Sequence, residues 1–226
     1  MRIIAEIAFV FAVMLSVKWI ADSMELIGAG SIGMWSGIIV ATLLMKRRGA
    51  TWRGLGLKLP KGWREWALTF GLDIATVITV IAFFAFVLPL ITAPFGLETP
   101  PDASDRFAFF LGKPLLFLSY LVGVVWFGAA FGEELLMRGF LLNRLADLFG
   151  KSTIGWSVAL VVHAVIFGSL HAYQGMPGMI GTGVVALIFG VIYLVSNRRL
   201  VPVILAHGII NTIFLTAYYL SDGAIT

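Results

Sequence analysis

A chain of 226 residues that is 60% hydrophobic and only 12% charged carries about half the charge of an ordinary soluble domain, which excludes that class. The absence of cysteine excludes disulfide bonds, thiolate metal sites and thiol nucleophiles. The net charge is only +4, and the mean hydropathy of +0.99 indicates a polytopic membrane protein.

A spanning helix needs roughly 20 mostly apolar residues, and seven segments of the chain meet this requirement. They lie near residues 3–21, 27–45, 67–92, 114–132, 153–172, 179–196 and 200–220. The sequence therefore predicts an all-α transmembrane bundle of about seven spans, folded as a single membrane domain over residues 1–226. The first segment contains Lys18 and lacks a cleavage site of small residues, so we expect a retained helix rather than a signal peptide.

Basic residues predict the orientation of the bundle. Seven of the sixteen Lys and Arg residues fall between Lys46 and Arg64. A basic loop can bind nucleic acid, but beside membrane spans it is more typical of a cytoplasmic loop that faces anionic lipid. Residues 197–199 should share that side, and the loop 93–113, with Glu98, Asp102 and Asp105, should lie outside. We therefore expect a multi-pass protein of a prokaryotic plasma membrane, with a cytoplasmic N-terminus and with membrane lipid, not nucleic acid, as a partner.

The segment from Leu135 to Phe149 is less hydrophobic than the spans. It carries Arg138, Asn143, Arg144 and Asp147, which predicts that the fourth helix continues into the cytoplasmic interface before a turn at Gly150. Counting residues on either side of this turn places Glu133 and His171 at nearly the same height, and the height expected for His207 agrees with theirs only if the hairpin projects beyond the bilayer. Residues 174–178 would then be partly re-entrant, which is tolerated where the backbone lines a wet cavity.

Three polar clusters interrupt or border the apolar runs, and ionisable groups at such depth persist mainly where they have partners and a function. The first cluster contains Glu133, Glu134 and Arg138. Glu134 and Arg138 are four residues apart on one helix face, which predicts an ion pair and leaves Glu133 as a free carboxylate and candidate general base. Acids at the start of an interfacial helix would explain the same residues. Just upstream, Gly128 and Gly132 form a GxxxG pattern, which predicts the close approach of another helix.

The other two clusters contain histidine. Phe167 and His171 share a helix face, and His171 ends its apolar run, so it is a candidate for acid–base work or for metal ligation. His163, one turn before Phe167, is better explained as a packing residue. His207 and Asn211 also share a face, and together they can donate two hydrogen bonds to one oxygen as an oxyanion hole.

Two alternatives remain open on the residues alone. Glu133, His171 and His207 form the nitrogen and carboxylate ligand set of a catalytic zinc site, so a divalent metal such as zinc is the one cofactor that the sequence suggests. The same side chains can instead act as interhelical polar contacts, worth about 1 kcal/mol each. The sequence contains neither GxSxG nor HExxH, and a hydrolytic site built from Glu, two His and Asn is the simplest reaction that this inventory supports.

The three clusters resemble the motifs EExxxR, FxxxH and HxxxN of the type II CAAX prenyl endopeptidase and bacteriocin-processing (CPBP, abortive-infection-like) family of intramembrane proteases. The chain has Glu133-Glu134 with Arg138, Phe167 with His171, and His207 with Asn211, in this order. The resemblance covers roughly residues 114–215. Residues 1–113 carry no diagnostic motif, although residues 55–60 are similar to a loop often seen in the family.

The resemblance implies a CPBP-type catalytic core in residues 114–220 and peptide-bond hydrolysis within the bilayer. By position, Glu133 and His171 would activate a water, and His207 and Asn211 would stabilise the oxyanion. Glu134, Arg138 and Phe167 would support them. Family members are often described as metalloproteases, and the same residues also work without a metal.

The implied partner is a membrane-associated peptide or protein, either prenylated at its C-terminus or carrying a leader peptide. The sequence does not indicate an oligomeric state. One competing hypothesis is a non-proteolytic receptor or bacteriocin self-immunity protein that keeps the same fold. Another is a small transporter, which would be expected to show two related halves, and the sequence shows no internal repeat.

Overall fold

Seven helices follow the seven predicted apolar segments in a computed structural model that describes residues 1–100, 103 and 105–224. Asp102, one of the acids of the predicted outer loop, lies outside the described residues. The helices are α1 (Arg2–Ser23), α2 (Ala29–Lys46), α3 (Gly62–Phe95), α4 (Pro114–Phe149), α5 (Thr153–Ser169), α6 (Gly175–Val195) and α7 (Leu200–Leu220). No strand occurs in this part of the chain, so the all-α prediction is confirmed.

Six of these segments are long and apolar enough to cross a membrane. The exception is α5, whose 17 residues make it slightly shorter than a typical span. A 3-10 turn at Asp105–Phe110 precedes α4. The helices pack as neighbouring pairs, α1 with α2, α5 with α6 and α3 with α7, and α4 contacts both α2 and α7. This arrangement gives α4, which carries the first polar cluster, a central position.

An ion pair fixes one end of the bundle. The Arg199 guanidinium donates two hydrogen bonds of 2.8 Å to the Glu65 carboxylate, so the start of α3 lies beside the start of α7. The loops 47–61 and 196–199 and the turn at Gly150 all lie at this end, which we call the basic end. It carries the cations from which the cytoplasmic side is predicted.

The segment after Glu134 continues the fourth helix as far as Phe149, as predicted. α4 continues without a break, π-wound from Leu121 to Glu133 and from Leu135 to Leu142, and every residue in the second of these stretches is buried. The polar side chains there are partnered inside the protein: Asn143 Nδ2 donates to the carbonyl oxygens of Arg138 and Gly139 and to the Tyr193 hydroxyl, at 2.8–3.0 Å. Internal partners, rather than water, therefore satisfy these groups.

The irregular segment between α5 and α6 is shorter than predicted. A 3-10 turn spans Ala172–Gln174, and α6 already begins at Gly175, four residues before the predicted start. Pro177 lies in the first turn of α6, where a missing backbone N–H removes no helical hydrogen bond. Residues 175–178 are therefore helical, and only the short turn after His171 is irregular.

The GxxxG pattern of α4 packs against α2, as predicted. A Cβ built on Gly128 would lie 1.9 Å from the Ser31 hydroxyl, and one on Gly132 would lie 3.3 Å from the Met34 side chain. Small residues therefore allow α2 and α4 to approach closely just before Glu133.

The loop between α2 and α3 is held against the helices that carry the polar clusters. The Tyr193 hydroxyl donates to the carbonyl oxygen of Leu55 at 2.9 Å, and the Leu200 N–H donates to that of Gly56 at 3.0 Å. Gly56 has φ +105°, and an added Cβ would lie 2.0 Å from the carbonyl oxygen of Arg198. The loop can lie this close only because residue 56 is glycine.

We expect Gly56→Ala to lower the free energy of unfolding by at least about 2 kcal/mol, because it combines a strained φ with a clash against backbone. Gly49→Ala is the matched control in the same loop. Gly49 has φ +69° and nothing within 4 Å of the added Cβ, so we expect a loss of only about 1 kcal/mol. Denaturant unfolding of the two purified variants measures both values. Equal losses would show that the contact with Arg198 is unimportant.

Candidate active site

One carboxylate connects two of the three clusters. Glu134 Oε1 accepts a hydrogen bond from Arg138 Nη1 at 2.9 Å and another from His207 Nδ1–H at 2.8 Å. The ion pair between Glu134 and Arg138 is the one that the sequence predicts, and both side chains are fully buried. The contact with His207, 73 positions away on α7, is new. It places the α7 cluster directly against the α4 cluster.

Aromatic rings enclose the buried cation. The Arg138 guanidinium lies 4.9 Å from the centre of the Phe167 ring and 5.2 Å from that of Phe189. The Phe189 ring also meets the His207 imidazole edge-on at 5.6 Å. Phe167 therefore contacts the buried cation through its ring, and Phe189, which the sequence analysis missed, does the same from α6.

The second cluster is ordered by a backbone contact. His171 Nδ1 lies 2.9 Å from the carbonyl oxygen of Phe167, one turn earlier on α5. Because a carbonyl oxygen can only accept, Nδ1 must carry the proton, and Nε2 of the neutral ring is left with a lone pair. The ring also packs against Phe167 at 4.7 Å and Tyr173 at 5.7 Å. His171 is therefore held in the tautomer that a base requires.

The remaining predicted site residues, Glu133 and Asn211, are half-buried. Neither side chain makes a hydrogen bond within the part of the chain that the structure describes. Glu133 directly precedes the buried Glu134 on α4, and Asn211 lies one turn beyond His207 on α7. Both are therefore available to a ligand, in contrast to Glu134 and Arg138, which bind each other.

The described side chains are not arranged as the suggested zinc site would require. Among residues 1–100, 103 and 105–224, no three His, Asp or Glu side chains lie together as a group that could hold a metal ion. The suggested ligands Glu133, His171 and His207 therefore do not form a ready metal site. The chemistry below is derived from the side chains alone.

His163 is fully buried on α5, and neither ring nitrogen has a hydrogen-bond partner among the described residues. Its ring lies 6.4 Å from that of Phe167, which fits the packing role predicted for it.

Asp73 on α3 is a buried carboxylate that the sequence analysis missed. It is 2% exposed, and neither oxygen has a hydrogen-bond partner in the described part of the protein. The buried residues Thr69, Thr76 and Val80 share its face, and α3 packs against α7 and α6. A single acid within the predicted span 67–92 was the sequence signal, because such residues are costly in a membrane helix.

We expect Asp73→Leu to raise the free energy of unfolding by about 1–3 kcal/mol, because it removes a buried polar group that lacks a partner. Thermal unfolding of the purified protein measures this, with Asp22→Leu on the exposed side of α1 as the control. A folded Asp73→Leu variant that has lost the protein's activity would instead assign Asp73 to the active site.

The part of the chain that the structure describes is all-helical, with six helices long and apolar enough to cross a membrane, which defines the class of polytopic helical membrane proteins. Residues 114–213 match the family model of type II CAAX prenyl endopeptidase Rce1-like proteins. This segment, slightly less than half of the chain, contains all three motifs, which confirms the predicted resemblance. No curated protein and no solved structure matches the chain.

Proposed function

We propose that this protein is an intramembrane endopeptidase that hydrolyses a peptide bond with Glu133 and His171 as the water-activating pair and with His207 and Asn211 as the oxyanion hole. One observation carries the proposal: the two histidines are both fixed through Nδ1, but by acceptors of different charge. His171 donates to a backbone carbonyl, and His207 donates to the Glu134 carboxylate. This difference suits one histidine to accept a proton and the other to donate a hydrogen bond.

His171 is the general base of the proposed reaction. Its Nε2 lone pair takes a proton from the attacking water, and the half-buried Glu133 carboxylate accepts the second hydrogen bond of that water or shares the proton. The water oxygen forms a bond to the carbonyl carbon of the substrate, and the carbonyl oxygen becomes an oxyanion. When the intermediate collapses, the proton held by this pair passes to the leaving amine nitrogen and the C–N bond breaks.

His207 is a hydrogen-bond donor to the oxyanion in the proposed reaction. Because Nδ1–H is donated to Glu134, His207 can donate from Nε2 only as an imidazolium. In that form it is one donor to the oxyanion, and Asn211, one turn away, supplies a second donor from its side-chain amide. Arg138 does not touch the substrate in this scheme. It binds the same Glu134 oxygen and thereby holds the carboxylate that orients His207.

The family match supports a membrane-associated peptide or protein substrate of the CAAX type. A prenylated C-terminal peptide and a leader peptide are the two forms that we propose. For the orientation, the basic end is proposed to face the cytoplasm, because cations are retained on that side of a membrane.

The test is cleavage by the purified protein reconstituted in lipid. The substrates are paired peptides that differ only in whether the cysteine near the C-terminus is prenylated, together with a leader-type peptide. We expect release of a C-terminal fragment, read by mass spectrometry. Cleavage of the prenylated member alone would establish the CAAX-type substrate, and cleavage of the leader peptide alone would establish the second form.

A strong chelator added to the same assay tests whether cleavage requires a metal ion. Since the side chains account for the chemistry, we expect cleavage to persist. Loss of cleavage that added zinc restores would replace the metal-free mechanism. Failure to cleave any peptide, together with full activity of Glu133→Gln in cells, would favour a receptor over an enzyme.

A further inference from the structure

A cavity of about 250 Å³ lies at the basic end, outside the candidate active site. Four cations contribute to its lining: Arg48 after α2, Arg144 on α4, Lys151 in the following turn and Arg198 between α6 and α7. These residues come from four separate parts of the chain, so the fold itself brings them together.

Two carboxylates neutralise only part of this charge. Glu6 of α1 pairs with Arg48 and lies 3.6 Å from Arg144, and Asp147 pairs with Arg144 and Lys151. The cavity lining therefore keeps two more positive than negative charges. Burial lowers the pKa of Arg48, and the charges of Arg144 and Arg2 lower it further, so the cations at this site repel one another.

Arg144 contributes to the cavity lining a buried donor that lacks a partner. Arg144 Nε is shielded from solvent and makes no hydrogen bond within residues 1–100, 103 and 105–224, although the side chain is otherwise well paired. Arg198 also lines the cavity and forms no ion pair among those residues. An anion in the cavity would give both groups a partner.

Apart from Asn143 and Gly54, the rest of the lining is apolar. Leu44, Met45, Ala50, Leu55 and Phe140 form this part of the wall. A site with cations on one side and aliphatic and aromatic side chains on the other is suited to an amphiphile rather than to a free ion. The cavity lies at the end of α2 and α4, where the basic loop begins, and basic residues beside spanning helices attract anionic lipid headgroups.

We propose that this cavity binds the phosphodiester headgroup of an anionic phospholipid. The phosphate contacts Arg144 and Arg198 and is attracted by Lys151 and Arg48, and the start of the acyl chains lies against the apolar wall. Asn143 also lines the cavity and donates to the backbone carbonyl of Arg138. An occupied cavity therefore stabilises the end of α4 that follows the first motif.

The test is the thermal unfolding of the purified full-length protein in a zwitterionic detergent. Short-chain phosphatidylglycerol, phosphatidylcholine with the same chains and inorganic phosphate are added separately. Phosphatidylglycerol should raise the unfolding temperature by about 5–10 °C at roughly hundred-fold excess over its dissociation constant, and the other two should not. Lys151→Gln/Arg198→Gln should lose this rise, whereas Arg53→Gln/Lys58→Gln, which makes the same charge change at basic-loop positions that do not line the cavity, should keep it.

Three outcomes would overturn the proposal. Equal stabilisation by phosphatidylglycerol and phosphatidylcholine would show that the headgroup charge is not recognised. An equal rise with inorganic phosphate would show an anion site without lipid preference. Loss of the rise in both double variants alike would assign the effect to the general charge of the basic end rather than to the cavity.

Discussion

Glu133→Gln and His171→Ala are each expected to reduce peptide cleavage by about 10²–10⁴-fold without unfolding the protein. Gln keeps the shape of Glu133 but cannot accept a proton, and Ala removes the Nε2 lone pair of His171. Neither side chain contributes an ion pair to the described part of the bundle, so stability should change little. Initial rates of cleavage by equal amounts of folded, reconstituted protein measure the effect.

His163→Leu is the matched control for the histidine variant. It removes an imidazole from the same helix, two turns before His171, and neither ring nitrogen of His163 has a partner among the described residues. We expect near-normal cleavage. Normal rates in both Glu133→Gln and His171→Ala would show that the water-activating pair is wrongly assigned.

Breaking the buried ion pair between Glu134 and Arg138 is expected to cause a large loss of stability. Arg138→Met should lower the free energy of unfolding by about 3–5 kcal/mol, because it leaves the Glu134 carboxylate buried without its cation. Glu134→Gln should destabilise the protein comparably, since it leaves the Arg138 guanidinium uncompensated between two aromatic rings. Chemical unfolding of the purified variants measures both losses.

The double variant Glu134→Leu/Arg138→Met separates stability from function. An apolar pair of similar volume should recover most of the stability, as is common for buried ion pairs. It should not recover cleavage, because His207 no longer has an acceptor for Nδ1–H. A double variant that is both stable and fully active would show that Glu134 does not orient His207.

Local spacing predicted the parts of the site that lie on one helix. The Glu134–Arg138 pair follows from a separation of four residues, and the order of seven apolar segments follows from their length. Contacts between helices could not be predicted in this way. The hydrogen bond from His207 to Glu134 depends on how α4 and α7 are placed, and no local pattern in either segment specifies the partner.

The one error in the fold has an identifiable physical cause. Pro177 between glycines suggested irregular backbone, although proline is accepted in the first turn of a helix. The sequence also could not show that Asn143 has partners inside the protein, because the polarity of a residue does not indicate which groups lie next to it.

The hydroxyl of Tyr193 joins three parts of the sequence, since it accepts from Asn143 in the family segment and donates to Leu55 in the loop that precedes α3. We therefore expect residues 114–213 to be less stable when they are separated from this loop. A chimera that exchanges this segment between relatives would have to carry the matching loop with it, together with the glycine at position 56. Residues 1–113 carry no motif, but through this loop they contact the segment that carries all three.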